Sequence, residues 1–316
     1  MAESNEGKNY KKPLLIFAVL MGLIIASLGF YTYSQLNKID HVAIDQSDEA
    51  LGINTDPQQE TSTADVPPLN FAIFGIDQWD NENGRTDVIM VVSIDKKNKK
   101  VKLSSIMRDT YVNIPGHGMD KINHAYAYGG PQLAINTINS NFNMDIKDFA
   151  TVDFTNMEKI VDHFGGVDIN VFPEEVSSID GVKQAGLQHL NGKQAVDYMR
   201  LRNVGNGDYQ RTGRQRDVLA ELIIKIQAAG PAALPDTITQ TLPLVTTSLN
   251  NIDILKIGME SLAANIQTVE KARFPIDSTS EGKMIKGTYY LVADLNANTT
   301  AMHDFIYNDK KYADPD

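Results

Sequence analysis

Cysteine is absent from all 316 residues, which excludes a disulfide framework, a thiolate nucleophile, and any Cys-ligated zinc or iron–sulfur site. Histidine is sparse, at six residues, and His117, His124, His163 and His189 lack zinc-ligand spacing. No Gly-x-Ser-x-Gly elbow and no Walker-type Gly-rich Lys-Ser/Thr loop is present. Positive charge is in deficit: 29 Lys and Arg stand against 40 Asp and Glu, a net charge of −11. An acidic total disfavours non-specific nucleic-acid binding, which depends on Lys and Arg neutralising phosphates, so no nucleic-acid partner is expected. Any anion site must be local. The length suits one large domain or two ordinary ones and is ample for a buried core.

Charge is missing altogether from residues 13–37, and residues 14–30 (LLIFAVLMGLIIASLGF) are almost wholly apolar. At ~1.5 Å per helical residue this stretch covers the ~30 Å hydrocarbon core of a bilayer. Tyr31 and Tyr33 follow as interfacial anchors, Lys8, Lys11 and Lys12 precede, and Asp40, Asp45, Asp48 and Glu49 come after. The positive-inside rule makes residues 1–12 a cytoplasmic tail, 13–37 a single transmembrane helix, and everything beyond it extracellular, at the cell membrane. A cleaved signal peptide is the other reading, but the run is longer than an ordinary signal core and no clean small-x-small site follows. Residues 38–69 are acidic, rich in Gln, Ser, Thr and Asp, and end in Pro67-Pro68. Such composition buries too little apolar surface to offset chain entropy, so an extended linker is expected, with folded structure from Asn70 to residue 316.

Beyond the linker, strand and helix patterns alternate. Residues 71–76 (FAIFGI) and 88–94 (VIMVVSI) are continuous apolar runs and read as buried strands. The polar turn DKKNKK precedes a third strand over residues 101–106, which predicts a hairpin. Gly129-Gly130-Pro131 opens a helix reaching Asn141. Thr155 and Glu158 make a capping-box signature for a helix that Gly165-Gly166 stops after Phe164. A strand follows at 167–171, a helix at 191–199, and a longer helix with one apolar face through Val218, Leu219, Leu222, Ile223 and Ile226. The last third predicts a helix over 252–269, a strand over 289–293 and a helix over 298–306. This order predicts an α/β class: a layered α-β-α domain around a central mixed sheet.

Arginine is the informative residue. Seven of the eight fall in GRTD (84–87), MRDT (107–110) and YMRLRNVGNGDYQRTGRQR (198–216), whereas lysine is scattered over turns and surface. A guanidinium is a rigid fork matched to phosphate oxygens; Lys is a point charge. Taken pair by pair, Arg85 with Asp87, Arg108 with Asp109 and Arg211 with Asp208 read as ordinary ion pairs. Taken together, the segregation points to a phosphate site. Arg211, Arg214 and Arg216 stand at the start of a predicted helix, where cations oppose the dipole unless an anion sits there; a later helix start is the alternative. Asp77 and Asp87 flank the first two strands at what can be one sheet edge, and two hard oxygens are a typical protein share of a Mg²⁺ site, though loop Asp residues are more often turn formers.

The run FGIDQ…GRTDVIMVVSID…KVKLSSIMRDTYV, then KINHAYAYGG, FGGVDINV and LNGKQAVDYMRLRN…GDYQRTGRQRDVL, resembles the LytR-CpsA-Psr family of Gram-positive cell-envelope enzymes. MRDT stands where many members have PRDT, and Tyr209 where some have Phe. The resemblance implies transfer of a polyprenyl-pyrophosphate-linked glycopolymer, wall teichoic acid or capsular polysaccharide, to a peptidoglycan acceptor through a phosphodiester bond. By the same resemblance Asp77 and Asp87 hold Mg²⁺, or Mn²⁺, on the pyrophosphate. Arg85, Arg108, Arg200, Arg202 and Arg211 grip its oxygens, and Lys100, Asp208 and Gln215 complete the head-group site. Positioned Arg and Mg²⁺ would neutralise the leaving group, with Arg85 and Arg108 catalytic in that sense and Asp109 or Asp208 as base. Phe154, Ile160, Val161, Phe164 and Leu222 are candidates for lining a slot for the lipid tail, with most of them expected to be plain core. A pyrophosphate hydrolase, and a non-enzymatic membrane sensor or transcription attenuator, are the alternatives; a tail of about twelve residues is too short for a groove-reading module.

Overall fold

The apolar runs at 71–76 and 88–94 become the centre of one sheet, because strands apolar on both sides need cover on both faces. The structure, a computed structural model, describes residues 40–55, 67–77, 84–205 and 207–312. In chain order the strands are β1 (Asp40–His41), β2 (Leu69–Ile76), β3 (Thr86–Asp95), β4 (Lys100–Ile106), β5 (Tyr111–Ile114), β6 (Gly118–Lys121), β7 (Phe149–Asp153), β8 (Val167–Val171), β9 (Gly186–Leu190), β10 (Thr246–Thr247), β11 (Thr268–Phe274), β12 (Ser280–Ile285) and β13 (Thr288–Ala293). The helices are α1 (His124–Phe142), α2 (Phe154–His163), α3 (Gly192–Arg200), α4 (Asp208–Ala229), α5 (Leu234–Thr241), α6 (Asn251–Ala263) and α7 (Leu295–Tyr307). The main sheet has seven strands in the order β1-β10-β7-β2-β3-β4-β11. It is mixed: β2 pairs antiparallel with β3 and parallel with β7.

One face is covered by α1 and α7, whose Ile135, Phe142, Met302 and Phe305 pack on Ala72, Phe74 and Val91. The other face sets Val88, Met90, Val92 and Leu103 against Ala220 of α4 and Ile257 of α6. Beside it, α2, α3 and α4 close around Val161, Tyr198 and Leu222. The layered α-β-α expectation is met. The β3–β4 hairpin pairs Asp95 with Lys100, and Ile76 pairs with Thr86 across β2–β3. These registers bring the end of β2, the start of β3 and the end of β4 to a single edge of the sheet.

Four expectations change. Residues 40–55, ahead of Asn70, are already part of the fold: β1 pairs parallel with β10, and Val42 N donates to Thr247 O at 3.0 Å. Leu51 is fully buried in the α1 side of the core, with Val42, Ile44 and Ile53 packed around it. An average over an acidic segment hides four well-spaced apolar residues. Helix α2 is capped by Asp153, whose side chain accepts from Asn156 N at 2.7 Å, not by Thr155 with Glu158. The helix predicted over 252–269 ends at Ala263, and its last two positions, Thr268 and Val269, open β11, parallel to β4. α1 starts at His124, before the predicted opening, and its φ/ψ leave helical values at Gly129 and Gly130. The predicted cytoplasmic tail and transmembrane helix lie outside the described residues, among which no single helix is long and apolar enough to cross a membrane.

Candidate active site

Asp77 follows β2 directly, Asp87 is the second residue of β3, and Arg108 lies just past β4. Facing this edge, Arg200 ends α3, Arg202 lies in the next turn, and Asp208 opens α4 after Gly207, whose φ of 64° suits glycine. Asp208 supplies an acidic first turn, and Arg211 and Gln215 follow on the same side of α4. The helix therefore begins where the sequence reading placed it, ahead of all three of its arginines.

The side chains meet. Arg108 donates to Asp87 at 2.5 Å and through Nε to Asp208 at 2.9 Å. Arg202 donates to the other oxygen of Asp87 at 2.9 Å, and Arg200 donates to Asp77 at 3.1 Å while lying 4.8 Å over the ring of Phe154. Arg211 approaches Asp87 at 3.9 Å and Asp208 at 3.5 Å. A cavity of about 220 Å³ is lined by Asp77, Asp87, Arg200, Arg202, Arg211 and Gln215, with Phe154 at its side. Four guanidinium groups against three carboxylates leave this edge cationic in an acidic protein.

Two lining residues are under-satisfied. Arg211 is 2% exposed, yet its Nε and Nη1 have no hydrogen-bond partner among the described residues, nor has Nε2 of buried Gln215. Buried donors left unpaired carry a desolvation cost of about 1–3 kcal/mol each, so their persistence marks a place for an acceptor-rich ligand. Burial, then the neighbouring Arg108, pulls the Arg211 guanidinium below its ordinary pKa, with Asp208 and Asp87 opposing. Burial pushes Asp87 upward, but Arg211, Arg108 and Arg202 outweigh it and hold the carboxyl below its ordinary range. Arg108 is raised, burial notwithstanding, by Asp208, Asp87 and Asp109.

Adjoining this cavity is an apolar one of about 180 Å³ between the sheet and α2, α3 and α4, with walls that include Ile73, Val88, Met90, Met157, Leu222 and Ile226. Phe154 and Gln215 line both. At Gly75 a Cβ would come within 2.6 Å of the Val88 side chain, so a larger residue there would crowd this wall. Phe154, Ile160 and Leu222 line the apolar cavity, whereas Val161 and Phe164 are packed core, so fewer of the five are plain core than the sequence suggests. Met90, Met157 and Met199 also line it and were not foreseen; they come from a strand and two helices, and only the fold assembles them.

The remaining candidates separate. Lys100 stands at the opposite end of β4, bonded to Asp309 at 2.7 Å and Glu270 at 3.0 Å, and takes no part in this site. Strand geometry explains the displacement: Lys100 and Arg108 are eight residues apart on nearly straight chain. Arg85 is at the correct sheet edge but is exposed and not among the cavity-lining residues. Asp109 touches Arg108 at 3.6 Å and is bonded to Lys121 at 2.6 Å. Arg214 turns away from the cavity and pairs with buried Glu175 at 2.6 Å, and Arg216 is wholly buried. Of the seven clustered arginines, Arg108, Arg200, Arg202 and Arg211 converge.

Fold and site together describe an α/β protein with a cationic, anion-seeking cavity opening into an apolar one. The LytR_cpsA_psr family model matches residues 28–305, and the chain belongs to that family. It is 31% identical to the polyisoprenyl-teichoic acid–peptidoglycan teichoic acid transferase TagU of Oceanobacillus iheyensis over 320 residues, 94% of this chain and 96% of that protein. It is 33% identical to the regulatory protein MsrR of Staphylococcus aureus over 246 residues, 76% of this chain and 75% of that one. A solved structure of the family protein YwtF (TagT), a Bacillus subtilis protein, with bound octaprenyl pyrophosphate lipid matches at a TM-score of 0.64 and 25% identity, covering 85% of this chain and 99% of that chain.

Proposed function

We propose that this protein transfers an anionic glycopolymer from a polyprenyl-pyrophosphate carrier to peptidoglycan, forming a phosphodiester. One observation carries the reading: the buried, unpaired donors of Arg211 and Gln215 lie in a cationic cavity that shares its wall with an apolar one. A doubly charged head on a greasy tail fits that pair of cavities, and the family relatives named for teichoic acid transfer, with the one bound to octaprenyl pyrophosphate, support it.

In this reading Arg108, Arg200, Arg202 and Arg211 bind the pyrophosphate oxygens and offset the charge that grows on the leaving lipid phosphate. Gln215 supplies a neutral donor at the join, and the apolar walls hold the first isoprene units. The acceptor hydroxyl attacks the phosphorus that bears the glycan, and its proton passes to a carboxylate. Asp208 and Asp109 are the candidates, since each contacts Arg108. Asp77 and Asp87 are hard-oxygen donors lining one cavity, a set that fits Mg²⁺ or Mn²⁺. Among the described residues no group of three or more His, Asp or Glu is placed to hold a metal, so phosphate oxygens would have to complete the shell. The ion would add charge neutralisation on the phosphates. An apolar helix over residues 13–37 would anchor the domain on the outer face of the cell membrane, with the N-terminus cytoplasmic.

The test uses full-length protein in detergent micelles with labelled lipid-linked polymer, peptidoglycan fragments, and Mg²⁺ or EDTA. A phosphodiester-linked conjugate is expected, reduced at least a hundredfold in Arg211→Ala and Asp77→Ala, the scale seen when one transition-state charge donor is removed. Conjugation by either variant at the wild-type rate defeats this site assignment. Phosphate release without conjugate would make the protein a hydrolase.

A further inference from the structure

Transfer needs a second substrate held next to the first, and the cationic cavity serves the donor alone. Of the three two-stranded sheets that the chain forms beyond Arg108, β5–β6, β8–β9 and β12–β13, the first and the last adjoin the site. They are tied to the site by backbone: Leu291 N donates to Asp109 O at 2.8 Å, and Asn123 N to Arg108 O at 3.3 Å. Side chains continue the connection. Lys121 binds Asp109 at 2.6 Å and lies 5.8 Å over the ring of Tyr290, which sits 4.7 Å from the ring of Tyr111. The hydroxyl of Tyr290 reaches Asp120 at 3.4 Å.

Asp120 is the hub of this patch. Its carboxylate accepts from Tyr128 at 2.8 Å and lies 2.8 Å from His124 Nδ1, and burial notwithstanding these contacts hold it below its ordinary pKa. Tyr128 is 47% exposed and stacks on exposed His117 at 4.6 Å with 16° between the planes. Tyr128 and Tyr290 are thus fixed through their hydroxyls, and the Tyr128 ring keeps much of its surface in water, beside half-buried Tyr111 and Tyr290. Exposed apolar faces rimmed by polar groups signal a binding surface. Charge limits the occupant: Asp109 and Asp120 offset Lys121, so the patch has none of the cationic excess of the donor cavity and does not suit an anionic polymer.

We propose that Tyr111, His117, Asp120, His124, Tyr128 and Tyr290 form the subsite for the acceptor glycan. A pyranose presents C–H faces that stack on tyrosine and hydroxyls that bond to carboxylate and imidazole. A sugar chain lying there points one hydroxyl back along Lys121 and Asp109 to Arg108. This rests on the transferase reading above and adds to it where the acceptor lies.

The experiment takes full-length protein and two probes: peptidoglycan glycan strands stripped of stem peptides, and the free stem peptides. Saturation-transfer NMR without donor should show the stripped strands binding the wild type and losing contact in Tyr128→Ala. In the transfer reaction Tyr128→Ala should raise the KM for glycan about tenfold, a cost of one aromatic stacking contact, with KM for the lipid-linked donor unmoved. Tyr128→Phe, which keeps the ring and drops the bond to Asp120, should restore most of the affinity. Binding of stem peptides alone, no binding of strands, or equal rises in donor and acceptor KM overturn the proposal. Strand binding that depends on Tyr128 in a protein that forms no conjugate keeps the subsite and overturns the transferase reading instead.

Discussion

Asp87 carries more of the site than any other carboxylate, since Arg108, Arg202 and Arg211 all lie within 4 Å of it. Its folded pKa is depressed, so its contribution to stability is complete above the unfolded value near ~3.9 and disappears as pH falls through the lower folded value. Asp87→Asn should lose about 2–3 kcal/mol at neutral pH by leaving three guanidinium groups facing one another. Urea unfolding of both proteins across pH checks this, with the difference shrinking once the wild-type carboxyl protonates. A constant difference from pH 7 to pH 2 would separate the loss from charge. The concentration of arginine was legible in the sequence. Which four converge was not, because Arg211 and Arg214, three residues apart and so neighbours on α4, reach different partners, Asp87 with Asp208 for one and Glu175 for the other.

Among the elements, α2 shows how a local signal competes with a better one. The sequence offered Thr155 with Glu158, yet the last residue of β7, Asp153, takes the cap because the chain turns from strand to helix there. Asp153→Ala should cost about 1 kcal/mol by chemical denaturation and Thr155→Ala a few tenths. Reversed magnitudes would restore the capping box. The same competition hid the start of β11: the helical reading runs on to Val269, whereas Thr268 and Val269 pair with Lys100 and Val101 along β4. The central strand β3 needed no such help, since ten residues of largely buried, β-branched-rich chain have few other places to go.

Across the whole molecule the segment after the proposed anchor is part of the domain. β1 starts three residues after residue 37, pairs with β10, and β10 follows Val245, which lines the apolar cavity. A membrane helix ending there would hold the greasy opening close to the bilayer that supplies the lipid. Leu51→Ala should destabilise the protein by about 2–4 kcal/mol, as for a fully buried leucine. A fragment starting at Asn70 should melt well below one starting at Asp40, and equal melting temperatures by calorimetry would return residues 40–55 to the role of a loose stalk.

The sequence by itself determined the class of fold, the buried central strands, the stop at Gly165-Gly166, and the gathering of arginine into three short segments, because these depend on residue type and short-range periodicity. Tertiary structure decided which arginines share a cavity, that Lys100 stands at the far end of its strand, that three methionines and a glycine open an apolar pocket beside the charges, and that tyrosines from three elements assemble next to Arg108. Those outcomes depend on strand order and register, and residues more than a hundred positions apart meet only when the sheet is built.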